Sequence, residues 1–324
     1  SRRRSGTHLA GMREFPGGKV GTSESAAQAL SRELYEETGI RVDRAHRLAV
    51  VNHDYPGRQI RLDAWMVDAW SGEPAGREGQ TLEWVPVTGL DTRDFPAANA
   101  RILKLIELPP LCLITPDLER YEAGFLRQVR DMIDNGLRLI QFRSRKSSRD
   151  AHAGAVRELV SMCEGTSCSL LYNGEPEEAL MLGAHGVHLR GSALARLKSR
   201  PLPADKWVAA SCHNREELRH AAAIDADFCL LSPVHRSPSH PGATGMGWPR
   251  FESMAEAAAM PVYALGGLKP AELEEARRRG AHGAHGGRPT SSSVAREWRY
   301  SLTAALRSLT WSTSVKSGLP NGTK

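Results

Sequence analysis

From Leu111 onward the chain repeats one unit: a short apolar run, then an amphipathic stretch that closes on a glycine or a polar turn. The runs are LCLITP, LRLIQFRS, SLLYNG, GVHLRG, KWVAASCHN, DFCLLSPV and PVYALGGL. Between them lie EAGFLRQVRDMIDNG, AHAGAVRELVSMC, EEALMLG, ALARLKS, REELRHAAAI, FESMAEAAA and AELEEARRRG. Apolar runs of this length, without polar alternation, read as strands buried on both faces. Strands separated by helices pair in parallel, because the helix carries the chain back to the starting edge. Seven such units predict a (β/α)8 TIM barrel over residues 111–310. An open doubly wound sheet is the alternative, but no GxGxxG turn follows the first strand. The eighth unit departs from the pattern. AHGAHGGRPTSSS is rich in Gly, His and Ser and is expected to be a degraded strand. SVAREWRYSLTAALRSL carries an apolar stripe (Val294, Trp298, Leu302, Ala305, Leu309) fit for the eighth helix. Residues 311–324 are expected to be a disordered tail.

The first third is organised differently. HRLAVVNHDYP and IRLDAWMVDAW flank a short turn and predict a hairpin, and LEWVPV reads as a further strand. FPAANARILKLIEL reads as a turn and a helix, which the prolines at 109 and 110 end, so 108–110 is expected to be a linker after a first domain of residues 1–107. A length of 324 residues accommodates two domains. The 40% hydrophobic and 25% charged content is that of a globular chain, and no apolar run approaches the ~20 residues of a membrane span. SRRRSGTHLAG has basic residues without an apolar core behind them, so it does not read as a secretory signal. The five cysteines are scattered, odd in number and form no CxxC pair, which predicts reduced, buried thiols and a cytoplasmic protein. A net charge of +6 is modest for this length, and clusters such as Arg277-Arg278-Arg279 suit helix ends, so no direct nucleic-acid binding is expected.

Chemistry concentrates in EFPGGKVGTSESAAQALSRELYEETGI, residues 14–40. On a helix, Glu33, Glu36 and Glu37 are related by three and four positions and share a face, while Ala26, Ala29, Leu30 and Leu34 form an apolar stripe on another. Gly39 suits a left-handed C-terminal cap. Three carboxylates on one face repel unless a cation lies among them, and hard oxygen donors point to Mg2+ or Mn2+. Gly17-Gly18 allows a close backbone approach and can offer a carbonyl. Arg32 can hold one carboxylate in place. Such a cluster alone would also describe a solvated acidic helix.

The full spacing is more specific. Gly18, Glu24, Arg32-Glu33-Leu34, Glu36-Glu37 and Gly39-Ile40 match the Nudix box without a departure. With EFPGGK, DYPGRQIRLDAW, GEPAGREGQ and DFPAAN in order, residues 1–107 resemble the MutT-type 8-oxo-dGTP diphosphatases, Nudix hydrolases with an α/β/α sandwich. The resemblance implies metal ligands at the Gly17 carbonyl, Glu36, Glu37 and Glu78, with Glu33 as base or water-orienting group. It also implies nucleotide contacts from Arg3, His8, Glu14, Phe15, Pro16, Gly17, Lys19, Arg58 and Asn99. The Asn99 amide, both donor and acceptor, can read the edge that distinguishes 8-oxoguanine from guanine, and as a residue it equally suits a helix N-cap. The implied reaction is attack of metal-activated water on the triphosphate, with pyrophosphate leaving. The family's first strand precedes the equivalent of Arg3. Its absence here is expected to expose ladder groups and apolar surface.

Residues 111–287 resemble thiamine-phosphate synthase and the related thiazole tautomerase through LITPD, GLRLIQFRSR, LLYNG, GAHGVHLRG, ASCHNREEL, DADFCLLSPVHRSPSHPGA and PVYALGGLKPAEL. That likeness implies a thiazole or thiamine phosphate as ligand, with Gly266-Gly267 presenting N–H groups to phosphate, although the pair alone also reads as a tight turn. The chain departs from the family in having Gly174 after Asn173, RGS after GVHL, and His240 where a lysine is usual. The first two departures remove carboxylates that would hold Mg2+, and the third removes a permanent charge. Arg143, Arg145, His188, His213 and His240 remain as anion-binding or proton-transfer groups, with His213 the tautomerase-like candidate. Three readings follow: a diphosphatase cleansing the nucleotide pool, a hydrolase of damaged thiamine or pyrimidine diphosphates, and a barrel that serves as a non-catalytic ligand-binding scaffold.

Overall fold

The computed structural model describes residues 1–2, 11–116, 123–143, 149–236, 244–286 and 312–317. The chain divides into two compact units, residues 1–108 with 309–324, and residues 109–308.

In the first unit, helix α1 (Ala26–Thr38) precedes a long antiparallel hairpin of β1 (Arg41–Tyr55) and β2 (Arg58–Ser71). Helix α1 starts at a capping box: the Ser25 hydroxyl accepts from the Gln28 N–H, and the Gln28 side chain accepts from the Ser25 N–H. It stops at Gly39, whose φ of +82° lets its N–H reach the Tyr35 carbonyl at 3.0 Å. Its apolar stripe buries Ala29, Leu30 and Leu34 against Trp65 and Val67 of β2, each leucine contributing about 1.5–3 kcal/mol. Helix α2 (Ala100–Ile106) buries Ile102, Leu103, Leu105 and Ile106.

Two expectations fail in this unit. LEWVPV forms no strand. Pro86 cannot donate to a ladder, and Trp84 instead lies beside Trp70 at 6.2 Å. Residues 312–317, expected within a disordered tail, form β11 (Ser312–Ser317), antiparallel to β2 from Ser312 opposite Met66 to Ser317 opposite Arg61. The open edge of β2 offers ladder groups that a polar segment satisfies through its backbone alone. The sheet order is β1-β2-β11.

The second unit is a closed parallel barrel. Its strands are β3 (Leu111–Ile114), β4 (Leu139–Phe142), β5 (Ser169–Asn173), β6 (Gly186–Leu189), β7 (Trp207–Cys212), β8 (Phe228–Leu231), β9 (Val262–Ala264) and β10 (Gly283–Gly286). Helices α3 (Ala123–Asp134), α4 (Arg149–Cys163), α5 (Pro176–Met181), α6 (Gly191–Leu194), α7 (Arg215–Ala223), α8 (Gly247–Ala257) and α9 (Leu273–Arg278) alternate with them. One face of each strand joins the helices in a shared core, exemplified by Ile140, Phe142, Val187 and Leu189. The alternate residues fill the barrel, where Phe228 lies 6.3 Å from Trp207 and 5.1 Å from Tyr263.

The eighth strand is formed, contrary to the expectation of a degraded one. β10 pairs with β9 and with β3, closing the ring. Its small residues answer a packing demand. A Cβ on Gly283 would stand 2.3 Å from the Pro110 carbonyl oxygen and 2.7 Å from the Tyr263 ring, so the bulk at this seam comes from its neighbours. The helix expected at 294–310 lies outside the described residues. All five cysteines are buried and free.

Candidate active site

The acidic face of α1 is organised by Arg32. Its guanidinium donates to both oxygens of Glu24 (2.7 and 3.1 Å), to Glu33 at 2.9 Å, to Glu36 at 3.0 Å and to the Lys19 carbonyl at 3.1 Å. One cation thus binds three carboxylates, where the sequence pointed to one. Glu24 is held below the usual carboxylate range by Arg32 and by the Gly21 N–H. Glu36 is exposed and turned to Arg32. The Glu33 carboxylate occupies the space above Gly18, 2.1 Å from where a Cβ would lie, so a side chain there would displace it.

Glu37 is in a different environment. It is half-buried, accepts from the Gly17 N–H at 3.1 Å, and is pushed up to about 7, chiefly by burial and then by the charges of Glu78, Glu33 and Glu14. The loop of GEPAGREGQ thus places Glu78 within electrostatic reach of Glu37. Among the described residues no three acidic, histidine or cysteine side chains are grouped closely enough to hold a metal ion. The donor set nevertheless suits a hard divalent cation: only carboxylates and a glycine turn, with negative charge accumulated on a half-buried group. Gly17, Glu36, Glu37 and Glu78 are the residues that would hold it.

The other nucleotide-contact candidates spread around this site. Phe15 stacks on Phe95 at 5.1 Å, and with Pro16, Met66, Trp70 and Trp84 it lines an apolar cavity of about 590 Å3. Glu14 lies at the same wall, its carbonyl accepting from the Ser1 amino group. Lys19 is exposed, as is Arg58 at the hairpin turn. Asn99 is 7% exposed, and although it stands at the start of α2 its side chain makes no capping bond. Of the two readings open for Asn99, the cap is thereby removed. The Tyr55 hydroxyl accepts from the neighbouring Ala98 N–H at 3.3 Å, tying the hairpin that carries Arg58 to the Asn99 turn. Arg3 and His8 lie outside the described residues.

At the C-terminal end of the barrel strands, buried His188 joins two neighbours: Asn173 Nδ2 at 3.2 Å from Nδ1 and Ser211 Oγ at 2.9 Å from Nε2. Burial, then the charges of Arg143 and Arg190, push His188 down to about 3, so the ring is neutral. The amide nitrogen donates to Nδ1, and Nε2–H donates to Ser211. Buried Gln141 adds an Oε1 without a hydrogen-bond partner. His213 donates from Nδ1 to the Ser232 carbonyl at 2.7 Å. Gly266 (φ +105°) and Gly267 (φ +68°) form the turn after β9. Arg145 and His240 lie outside the described residues. Sequence reasoning missed Gln141, Ser211 and Arg190. Polar residues interrupting an apolar strand run, or directly following one, were the available signal.

Residues 111–286 match the thiamine monophosphate synthase family and residues 1–105 the NUDIX domain family. The N-terminal region is 42% identical over 103 residues to the 8-oxo-dGTP diphosphatase of Escherichia coli strain K12, covering 32% of this chain and 80% of that protein. The C-terminal region is 30% identical over 161 residues to the thiamine-phosphate synthase of Thioalkalivibrio sulfidiphilus, covering 49% of this chain and 76% of that protein. The thiamine phosphate pyrophosphorylase structure from Pyrococcus furiosus superposes with a TM-score of 0.51 at 19% identity, covering 62% of this chain and 99% of that one, and shares the barrel fold. With a complete carboxylate helix in one unit and a closed eight-stranded barrel in the other, the chain belongs to the Nudix hydrolases through its N-terminal region and to the thiamine monophosphate synthase family through residues 111–286.

Proposed function

We propose that the N-terminal unit is a Mg2+-dependent pyrophosphohydrolase converting 8-oxo-dGTP to 8-oxo-dGMP and pyrophosphate, which removes an oxidised precursor before DNA replication uses it. The observation that carries this reading is the half-buried Glu37, raised to about 7 amid neighbouring carboxylates beside the Gly17 turn. A divalent cation on these carboxylates supplies charge neutralisation for a triphosphate and acidifies a water molecule. The protein's own groups do the rest. Glu33, fixed between Arg32 and Gly18, orients that water or takes its proton. Lys19 and Arg58 are exposed cations suited to phosphate oxygens. The uncapped Asn99 amide offers a donor and an acceptor to the purine edge, and such a site rejects an analogue that leaves its groups unpaired. The test is pyrophosphate release from 8-oxo-dGTP and from dGTP with and without Mg2+. Equal rates on the two nucleotides would end the specificity assignment, and full activity of Glu37→Gln would end the mechanism.

For the barrel the reading is a ligand-binding module for a phosphorylated heterocycle such as a thiazole or thiamine phosphate. It is supported by a mouth that carries arginines and a neutral histidine, with Gly174 after Asn173 and RGS after GVHL where the family resemblance leads one to expect acids. Calorimetry of the full chain with thiazole phosphate, alongside Arg143→Ala, tests it. Turnover of that ligand would replace the binding reading with a catalytic one.

A further inference from the structure

The loop that carries Glu78 is fastened to the C-terminal turn of α1 by a set of bonds no catalytic role requires. The Ala75 N–H donates to the Thr38 carbonyl and the Arg77 N–H to the Glu37 carbonyl, both at 2.9 Å. Half-buried Gln80 uses both ends of its amide: Nε2 donates to the Glu37 carbonyl at 3.0 Å, and Oε1 accepts from the Glu78 N–H at 2.9 Å. One side chain therefore spans from the backbone of Glu37 to the backbone of Glu78. Arg77 adds a second clasp. Its guanidinium donates to the Tyr35 carbonyl at 3.3 Å and lies 4.9 Å from the Tyr35 ring centroid. It also passes over Gly39, where a Cβ would stand 2.6 Å from Nε. The Glu37 and Thr38 carbonyls are the last ones of α1, which the helix's own N–H groups leave unmet, while the Tyr35 carbonyl also accepts from the Gly39 N–H.

From this geometry we infer that Gln80, assisted by Arg77, is a positioning residue that holds Glu78 opposite Glu37 before any cation arrives. The inference rests on the metal-site reading proposed above. Without the bracket Glu78 sits on an exposed loop, and the entropy of ordering that loop would be charged against cation binding. With it, that ordering is already done in the folded chain.

The test is a double-mutant cycle read by Mn2+ binding to the full chain, following free Mn2+ by electron paramagnetic resonance, with no nucleotide present. Gln80→Ala is expected to weaken Mn2+ binding roughly tenfold, the usual scale for a partner that orients a ligand, and Arg77→Ala to weaken it less. Glu78→Gln combined with Gln80→Ala is expected to be no weaker than Glu78→Gln alone, because the bracket acts only through Glu78. Gln80→Met is similar in length, adds no charge and loses both bonds. It carries the cycle if the alanine variant does not fold, and is expected to weaken binding likewise. Affinity within twofold of wild type in the Gln80 variants, or fully additive losses in the double variant, overturns the inference. Glu37→Gln separates the two levels: wild-type Mn2+ binding by that variant removes the metal site itself, whereas loss there with no effect at Gln80 removes the bracket alone.

Discussion

The acidic helix of the first unit and the mouth of the barrel handle charge in opposite ways. On α1 one guanidinium, Arg32, is divided among Glu24, Glu33 and Glu36, while Glu37 and its neighbours remain a surplus of negative charge. At the barrel mouth the charged groups near buried His188 are Arg143 and Arg190, and the ring is neutral. On the readings proposed above, the first arrangement would be completed by a cation brought from outside, and the second, which supplies its own positive charge, by an anion. Two sites on one chain, both matched to families that act on phosphorylated compounds, thus differ in who provides the counter-charge.

The largest effect that would break this contrast is expected at Glu37. Glu37→Gln should lower kcat/KM for 8-oxo-dGTP by roughly 10^3-fold, in the range of a lost charge-stabilising group, measured by pyrophosphate release. Asn99→Ala should leave dGTP hydrolysis near its starting level and cut the preference for 8-oxo-dGTP by about 10^2, read from the ratio of the two kcat/KM values. In the barrel, Gly283→Ala should destabilise the second unit by about 1–3 kcal/mol through overpacking against Tyr263 and Pro110, seen in urea unfolding. Arg190→Ser should weaken binding of thiazole phosphate roughly tenfold, as for a hydrogen bond to a charged group, with pyrophosphate release unchanged.

The smallest effect sharpens the comparison through pH. Glu37 is raised from its usual value to about 7. In chelator its contribution to stability is therefore fully present below the ordinary glutamate range and is lost as pH rises through about 7. Melting curves in chelator should fall modestly between pH 5 and 8 relative to Glu37→Gln, and added Mg2+ should recover most at the upper end. His188, lowered by burial from 6.5 to about 3, contributes a slope of the opposite sign: the unfolded imidazole takes up a proton that the folded one refuses, so its contribution rises with pH from about 3 to about 6.5 and is flat above.

Much of this was legible in the primary structure because it depends on local periodicity. The seven strand runs become β3 to β9, the hairpin halves become β1 and β2, and spacing alone put Glu33, Glu36 and Glu37 on one face. What was illegible depends on partners distant in the chain. β10 looks unlike a strand until Tyr263 and Pro110 are beside Gly283. LEWVPV looks like a strand until Pro86 and the place of Trp84 beside Trp70 are weighed, and the segment 312–317 does not look like one until the open edge of β2 is known. In the site, the threefold sharing of Arg32 and the two-ended use of Gln80 are invisible in a linear motif, although GREGQ carries the residues concerned. That Asn99 makes no capping bond at the start of α2 was likewise not legible in the linear sequence.

The grip of Arg32 on Glu36 and Glu33 has a consequence for metal exchange. A cation arriving at Glu36 does not meet a bare carboxylate. On the metal-site reading proposed above, it would share or contest that group with an internal guanidinium, so loading would be in part an ion exchange. In chelator Arg32 stays with its three partners, and three carboxylates of the acidic face keep an internal counter-ion. Helix α1 should therefore stay folded without any metal.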